Sequence, residues 1–167
     1  MAHDAFMWLE GGDPTAEGET QDKTYKDKKA FEIYSFSWGA SNPTTIGSAS
    51  GGAGAGKVSI SSTFMKKTDA SSAAMFTNCC KGQHFTNAHV VLRKAGGTAI
   101  EYLKYDFEEV FVDSIQWSGS SGGDDTPTES VSFAFGKVAI EYLPQLAKGE
   151  EGTKKTATWD LRTNVPS

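Results

Sequence analysis

Several groups of residues have types and spacings that could do chemistry. Gly51-x-x-x-x-Gly56-Lys57-Val58 nearly matches a phosphate-binding loop, in which backbone amides and a lysine hold phosphate and a following Ser or Thr holds magnesium. Here Val58 stands where the hydroxyl is needed. The residues after Lys57 alternate like a strand, so the helix whose N-terminal amides would bind phosphate is not expected. His84 and His89 lie near the adjacent pair Cys79 and Cys80, but a zinc site needs ligands converging tetrahedrally, usually as closer pairs. Asp124, Asp125 and Glu129 gather carboxylates around Pro127, as an acid–base pair or a calcium loop would. Asp, Gly and Pro are equally what a tight β-connection requires. Ser, His and Asp all occur, yet no G-x-S-x-G nucleophile elbow is present. No catalytic constellation, cofactor or metal is therefore expected, and a phosphate- or nucleotide-binding enzyme built on Gly51–Lys57 stands as the alternative.

The elements that would position these residues are mostly strands. The segments 88–94, 99–107, 110–117 and 128–142 are rich in Val, Ile, Phe, Tyr and Thr, and turn clusters at 95–98 and 118–127 separate them. This is the spacing of an antiparallel meander. Earlier strands are read at 6–10, 31–38 and 57–64, with the long polar connections 11–29 and 39–56 between them. In 31–38, Glu32, Tyr34, Phe36 and Trp38 share one face and Phe31, Ile33, Ser35 and Ser37 the other. Thr68 or Asp69 caps a helix that runs through Ala70, Ala74, Met75 and Cys79 and stops at Gly82. The two cysteines read as buried thiols on that helix, because adjacent residues cannot build a disulfide framework. In the last strand the apolar parity changes between Phe135 and Val138, which points to a bulge or bend at Gly136. The expected fold is mainly β: an antiparallel barrel of two curled sheets with one helix packed alongside.

Composition narrows the function classes. A chain of 167 residues, 38% hydrophobic and 22% charged, suits a single domain spanning residues 1–167. A net charge of −5 disfavours nucleic acid and anionic lipid as partners. No apolar run reaches the roughly 20 residues needed to cross a bilayer. Met1–Ala5 lacks the basic and apolar regions of a signal peptide, so the expectation is folding in the cytoplasm and export, if any, without a cleavable leader. The segment 11–29 carries too few apolar residues to pack on its own. It is therefore expected to be functional or to be ordered by a partner.

Several strings, taken in order, resemble the Hcp family of the bacterial type VI secretion system. They include Gly18-Glu19-Thr20-x-Asp22, Phe36-Ser37-Trp38-Gly39, Ala55-Gly56-Lys57-Val58, Lys66-Lys67-x-Asp69, Leu92-Arg93-Lys94-Ala95-Gly96-Gly97, Gly122-Gly123-Asp124-Asp125 and Trp159-Asp160-Leu161-Arg162. The first loop is a few residues longer than the family pattern. The resemblance implies a non-enzymatic, secreted subunit whose hexameric rings stack into a hollow inner tube. The tube is capped by a VgrG-type spike and driven by a contractile sheath into a neighbouring cell, in bacterial competition and virulence. It implies a second role as carrier of small effectors in the lumen, with Ser37 facing that lumen. It also makes the loops 11–29 and 39–56 candidates for assembly contacts, through Glu19, Asp22, Gly51, Gly52, Gly54, Gly56 and Lys57. A standalone secreted effector is the other alternative.

Overall fold

The structure is a computed structural model, and it describes residues 3–45, 54–95, 99–123, 125–146 and 150–167. Among the described residues ten strands and one α-helix follow in order, with a single 3-10 turn at Lys26–Lys28: β1 (His3–Glu10), β2 (Phe31–Glu32), β3 (Ser35–Ser41), β4 (Thr44–Thr45), β5 (Gly54–Ala55), β6 (Ser59–Lys67), α1 (Ala70–Lys81), β7 (His84–Lys94), β8 (Glu101–Ser118), β9 (Thr128–Tyr142) and β10 (Lys155–Asp160). The main sheet runs β2-β1-β7-β8-β9-β6-β3, and β10 also pairs with β9. All these pairings are antiparallel, as the meander reading requires. The segments 99–107 and 110–117, read as two strands, merge from Glu101 onward into the single long strand β8.

The sheet curls until its two ends meet on one piece of chain. Ile33 N donates to Ala5 O at 2.9 Å, and the next amide, Tyr34 N, donates to Met65 O at 2.9 Å. The chain thus leaves β1 and joins β6 within two residues. This changes which side chains share a face. Phe31 and Ile33 are buried, Glu32 and Tyr34 are exposed, and the inward positions beyond the switch are Phe36 and Trp38. Tyr34 therefore does not share a face with Phe36, because the alternation breaks where the chain changes partner between Ile33 and Tyr34.

Aromatic rings fill the barrel. Phe64, Phe107, Phe133 and Phe135 are all buried, and Phe64 meets Phe133 edge-on at 5.6 Å. Such edge-to-face pairs add about 0.5–1.5 kcal/mol beyond the area they bury. Helix α1 covers one end through Ala74 and Met75. Asp69 is its N-cap, accepting from Ser71 N at 3.0 Å, and Gly82 ends it in the left-handed conformation, φ 65°. Cys79 is half-buried and Cys80 exposed, so the cysteines are not the buried pair the helical pattern suggested.

The parity change near Gly136 is real and extends across neighbouring strands. The inward residues are Phe85 then Ala88 in β7, Phe107 then Val110 in β8, and Phe135 then Val138 in β9. Registers on either side are continuous: Glu108 faces Lys137, Val110 faces Phe135, Phe85 faces Val110 and Asn87 faces Glu108. No residue is inserted there. Instead the strands turn together, with Glu109 at φ 53°, and the sheet creases. The register shift in this pairing lies further along, between Val112 and Ser114.

Candidate assembly surfaces

The crease separates two outer surfaces of opposite character. On one side, β3, β6, β9 and the end of β8 present small hydroxyls. Ser37 faces Thr63, and Thr63 faces Ser132, their hydroxyls 3.2 Å apart. Ser132 in turn faces Ser114 of β8. Ser35, Ser41, Ser59 and Ser61 extend the same outward parity, and all are exposed. Their sequence neighbours Phe36, Trp38, Ile60 and Phe64 point into the core. Strict alternation therefore sets a water-facing hydroxyl row against a packed one. Among the described residues of this face, charges appear only at its borders, Lys67 and Asp113. Ser37, the candidate inward-facing residue of an assembled ring, is exposed near its middle.

Across the crease, β1, β7 and the nearer halves of β8 and β9 carry charges matched strand to strand. Lys137 meets Glu108 at 3.6 Å, and Arg93 meets Asp4 at 3.1 Å, while Lys154, just before β10, reaches Glu141 at 2.9 Å. His89 stacks on Trp8 with ring centroids 4.8 Å apart, and its Nδ1 lies 2.5 Å from Asp106. Its Nε2 is 3.3 Å from Glu10 without hydrogen-bond alignment, so that contact is electrostatic rather than directional. Burial pushes the His89 pKa down, but the hydrogen bond and charge of Asp106, helped by Glu10, outweigh it and hold the value above 6.5. Arg162 spans the crease, meeting Glu109 at 3.0 Å and Asp160 at 2.8 Å.

The polar segment 11–29 is not waiting for a partner to order it. It lies as a strap over β1, anchored by Tyr25, which is 0% exposed. The Tyr25 ring stacks on Phe6 at 4.4 Å, and its hydroxyl donates to Glu101. Lys28 sits 4.4 Å over the Trp8 ring. The two candidate contact residues of this segment have partners inside the subunit. Asp22 accepts from Arg93 at 2.7 Å, which holds its carboxyl below the usual range, and Arg93 also reaches Asp4 at 3.1 Å. Glu19 is exposed and accepts from Ala70 N, at the start of α1, at 3.3 Å. The far end is tied to the other end of the helix, where Asn78 Nδ2 donates to Pro14 O at 2.8 Å. The sequence signal that could have shown this was one buried tyrosine among charges, too small to outweigh the polar composition.

The second long connection builds a short hairpin, β4 on β5, with Thr45 facing Gly54. Gly56 N donates to Pro43 O at 3.2 Å, and a Cβ there would lie 2.8 Å from that oxygen, so a glycine is required. Lys57 is exposed at the base of this arm. Gly51 and Gly52 lie outside the described residues. Two residues after Lys57 the chain enters β6, and the nearest helix start is Ala70, so the phosphate-loop arrangement of glycines feeding a helix is not formed.

Sequence reasoning also missed a buried charge cluster. Lys66 and Glu129 face each other in the β6–β9 register and are 1% and 0% exposed. Lys66 Nζ donates to Glu129 Oε1 at 2.8 Å, Asp69 Oδ1 at 2.7 Å and Lys67 O at 2.8 Å. Glu129, grouped in the sequence with Asp125 as a turn carboxylate, is thus the counter-ion that fixes the helix cap to the sheet. Asp124 lies outside the described residues. Among the described residues no three His, Cys, Asp or Glu are placed to hold a metal, and His84 and His89 contact different β8 residues, Phe111 and Asp106.

The sequence pattern of the family described as "Type VI secretion system effector, Hcp" matches residues 6–142. Protein hcp1 of Pseudomonas aeruginosa is 38% identical over 104 residues, which span 61% of this chain and 64% of that relative. The match therefore covers a little under two thirds of that protein's length. Among solved structures, one of a type six secretion system protein superposes with a TM-score of 0.88 at 32% identity, covering 99% of this chain and 100% of that one. Hcp1 from Salmonella typhimurium superposes with a TM-score of 0.78 at 30% identity over 100% of both chains.

Proposed function

The chain belongs to the Hcp family of type VI secretion proteins, and from this premise we propose that it is a tube subunit, with hexameric rings that stack and carry small effector proteins through the lumen. The observation that carries the reading is the division at the crease. A tube wall needs one surface that lets cargo slide past and another that stays hydrated or meets the surrounding machine. The uncharged hydroxyl face around Ser37 suits the first, and the charge-paired face suits the second. The reading makes the subunit's role structural, with spike, sheath and effector proteins as partners. It also makes the subunit cytoplasmic before firing and secreted afterwards.

Ring closure follows from elementary geometry. A head-to-tail contact closes into a ring when its rotation divides a full turn, and a different contact between ring faces extends the stack. Among the named strands β3 pairs only with β6, and β10 only with β9 while Val165 bridges its last residue, Asp160, so β3 and the first residues of β10 leave an outward edge able to continue a sheet. The β4–β5 arm with Gly54, Gly56 and Lys57, together with Gly51 and Gly52, serves contacts between rings. Glu19, exposed at the strap's surface, is a further contact. Asp22 supports assembly indirectly by holding the strap.

Native mass spectrometry with negative-stain imaging of the same sample tests this reading. Six copies of the 17.9 kDa chain give about 107 kDa and an open ring in end view. A monomer persisting well above micromolar concentration would overturn it.

A further inference from the structure

We infer that the hydroxyl face takes its passengers by neutral hydrogen bonding and excludes ionic selection, so that its occupant is an uncharged polar surface of another protein. The inference rests on the ring reading, which turns this face inward in several copies. The sorting of charge supports it. In a chain with 22% charged residues, the outward positions described for β3, β6 and β9 on this face include Ser35, Ser37, Ser61, Thr63, Met65, Ser130 and Ser132, and the one charge these strands carry there is Lys67, at the border. Apart from Lys67 and Asp113 at its borders, the outward charges described for this sheet lie across the crease, where Lys137 meets Glu108 and Arg93 meets Asp4. A hydroxyl both donates and accepts, so it meets amides, hydroxyls and backbone groups alike. A charged side chain brought against the middle of this face, around Ser37, Thr63 and Ser132, would lose water and find no opposite charge there in return. A neutral polar surface loses little and exchanges one hydrogen bond for another. Repetition around a ring turns such weak contacts into useful retention without a tight site in any one subunit.

Assembled rings of the full chain, verified by size in every sample, provide the test. Three labelled peptides of equal length are compared, one rich in Ser, Asn and Gln, one in Lys and one in Glu, at roughly 50 and 500 mM NaCl, a range over which screening changes strongly. The expected result is preferential retention of the neutral peptide, changing less than about twofold across that range. Ser37→Asp is expected to create salt-sensitive retention of the Lys-rich peptide, and Ser132→Lys of the Glu-rich one, while Ser37→Ala leaves the preference in place. Intact rings that hold a charged peptide best, hold none of the three, or lose the neutral one about tenfold with salt would overturn this inference alone. A chain that forms no rings would overturn the ring reading, and this inference with it.

Discussion

Lys66 and Glu129 lie opposite one another on β6 and β9, 2.8 Å apart and closed off from solvent. Their pairing ties the sheet to the cap of α1, because Lys66 also holds the N-cap Asp69 and Ser72 donates to Glu129 at 2.8 Å. Removing Lys66 strands the Glu129 carboxylate in the interior. Lys66→Ala is expected to cost about 3–5 kcal/mol, measured by chemical unfolding. The paired replacement Lys66→Met with Glu129→Leu is expected to cost much less, since neither charge then remains. Equal costs for the single and the double variant would refute this account.

Arg93 joins β7 to the strap through Asp22 and to β1 through Asp4, and lies 5.1 Å over the Phe6 ring. Arg93→Lys keeps the charge but loses the planar fork that engages two carboxylates at once. Amide exchange across residues 20–25 is expected to speed up, with exchange in β8 and β9 unchanged. The Asp22 contact has its own pH signature. Because the hydrogen bond from Arg93 lowers the Asp22 pKa below 3.8, the contact contributes fully above that value and is lost as pH falls through the lowered one.

His89 gives the opposite sign. Its folded pKa lies above 6.5, so its stabilising contribution is complete below 6.5 and is lost as pH rises through the raised value. Melting temperatures measured from pH 5.5 to 9, a span of roughly three units around the ordinary histidine value, are expected to fall more steeply for the natural chain than for His89→Gln. Parallel curves would show that Asp106 and Glu10 do not hold the proton.

Gly18 closes the strap, donating from its backbone N to Lys29 O at 2.8 Å. A Cβ there would lie 2.4 Å from Ala30 O and 2.5 Å from its carbonyl carbon, both backbone atoms that cannot swing aside. Gly18→Ala is expected to destabilise the chain by about 1–3 kcal/mol. Gly82→Ala at the helix end meets no atom within 4 Å and is strained only through its φ of +65°. Thermal melts of the two variants separate these effects, with the loss for Gly82→Ala expected to be smaller.

What could be read from the sequence followed from local rules. The Asp69 cap and the Gly82 stop depend on neighbours a few residues away, and the parity change near Gly136 is visible within one strand. The hydroxyl alternation at Ser35 and Ser37 was legible for the same reason. Contacts set by distant chain were not. Tyr25 is buried only because β1 supplies Phe6 and Trp8, and Lys66 only because Glu129, far along the chain, arrives opposite it. The switch of partner between Ile33 and Tyr34 broke an alternation that looked continuous, since periodicity names a face but not the strand beside it. β10 was overlooked as a strand because its burial is confined to its last residues.

The strap bears on how copies of this chain come together. Fixing a residue's backbone costs roughly 1–2 kcal/mol in entropy, and residues 11–29 are already held in the lone subunit by Tyr25, Arg93, Asn78 and the amide of Ala70. That cost is therefore met during folding and does not recur at each encounter between subunits. Under the ring reading, subunits meet this strap as a finished surface and separate without unravelling it, so their association is reversible and still precise.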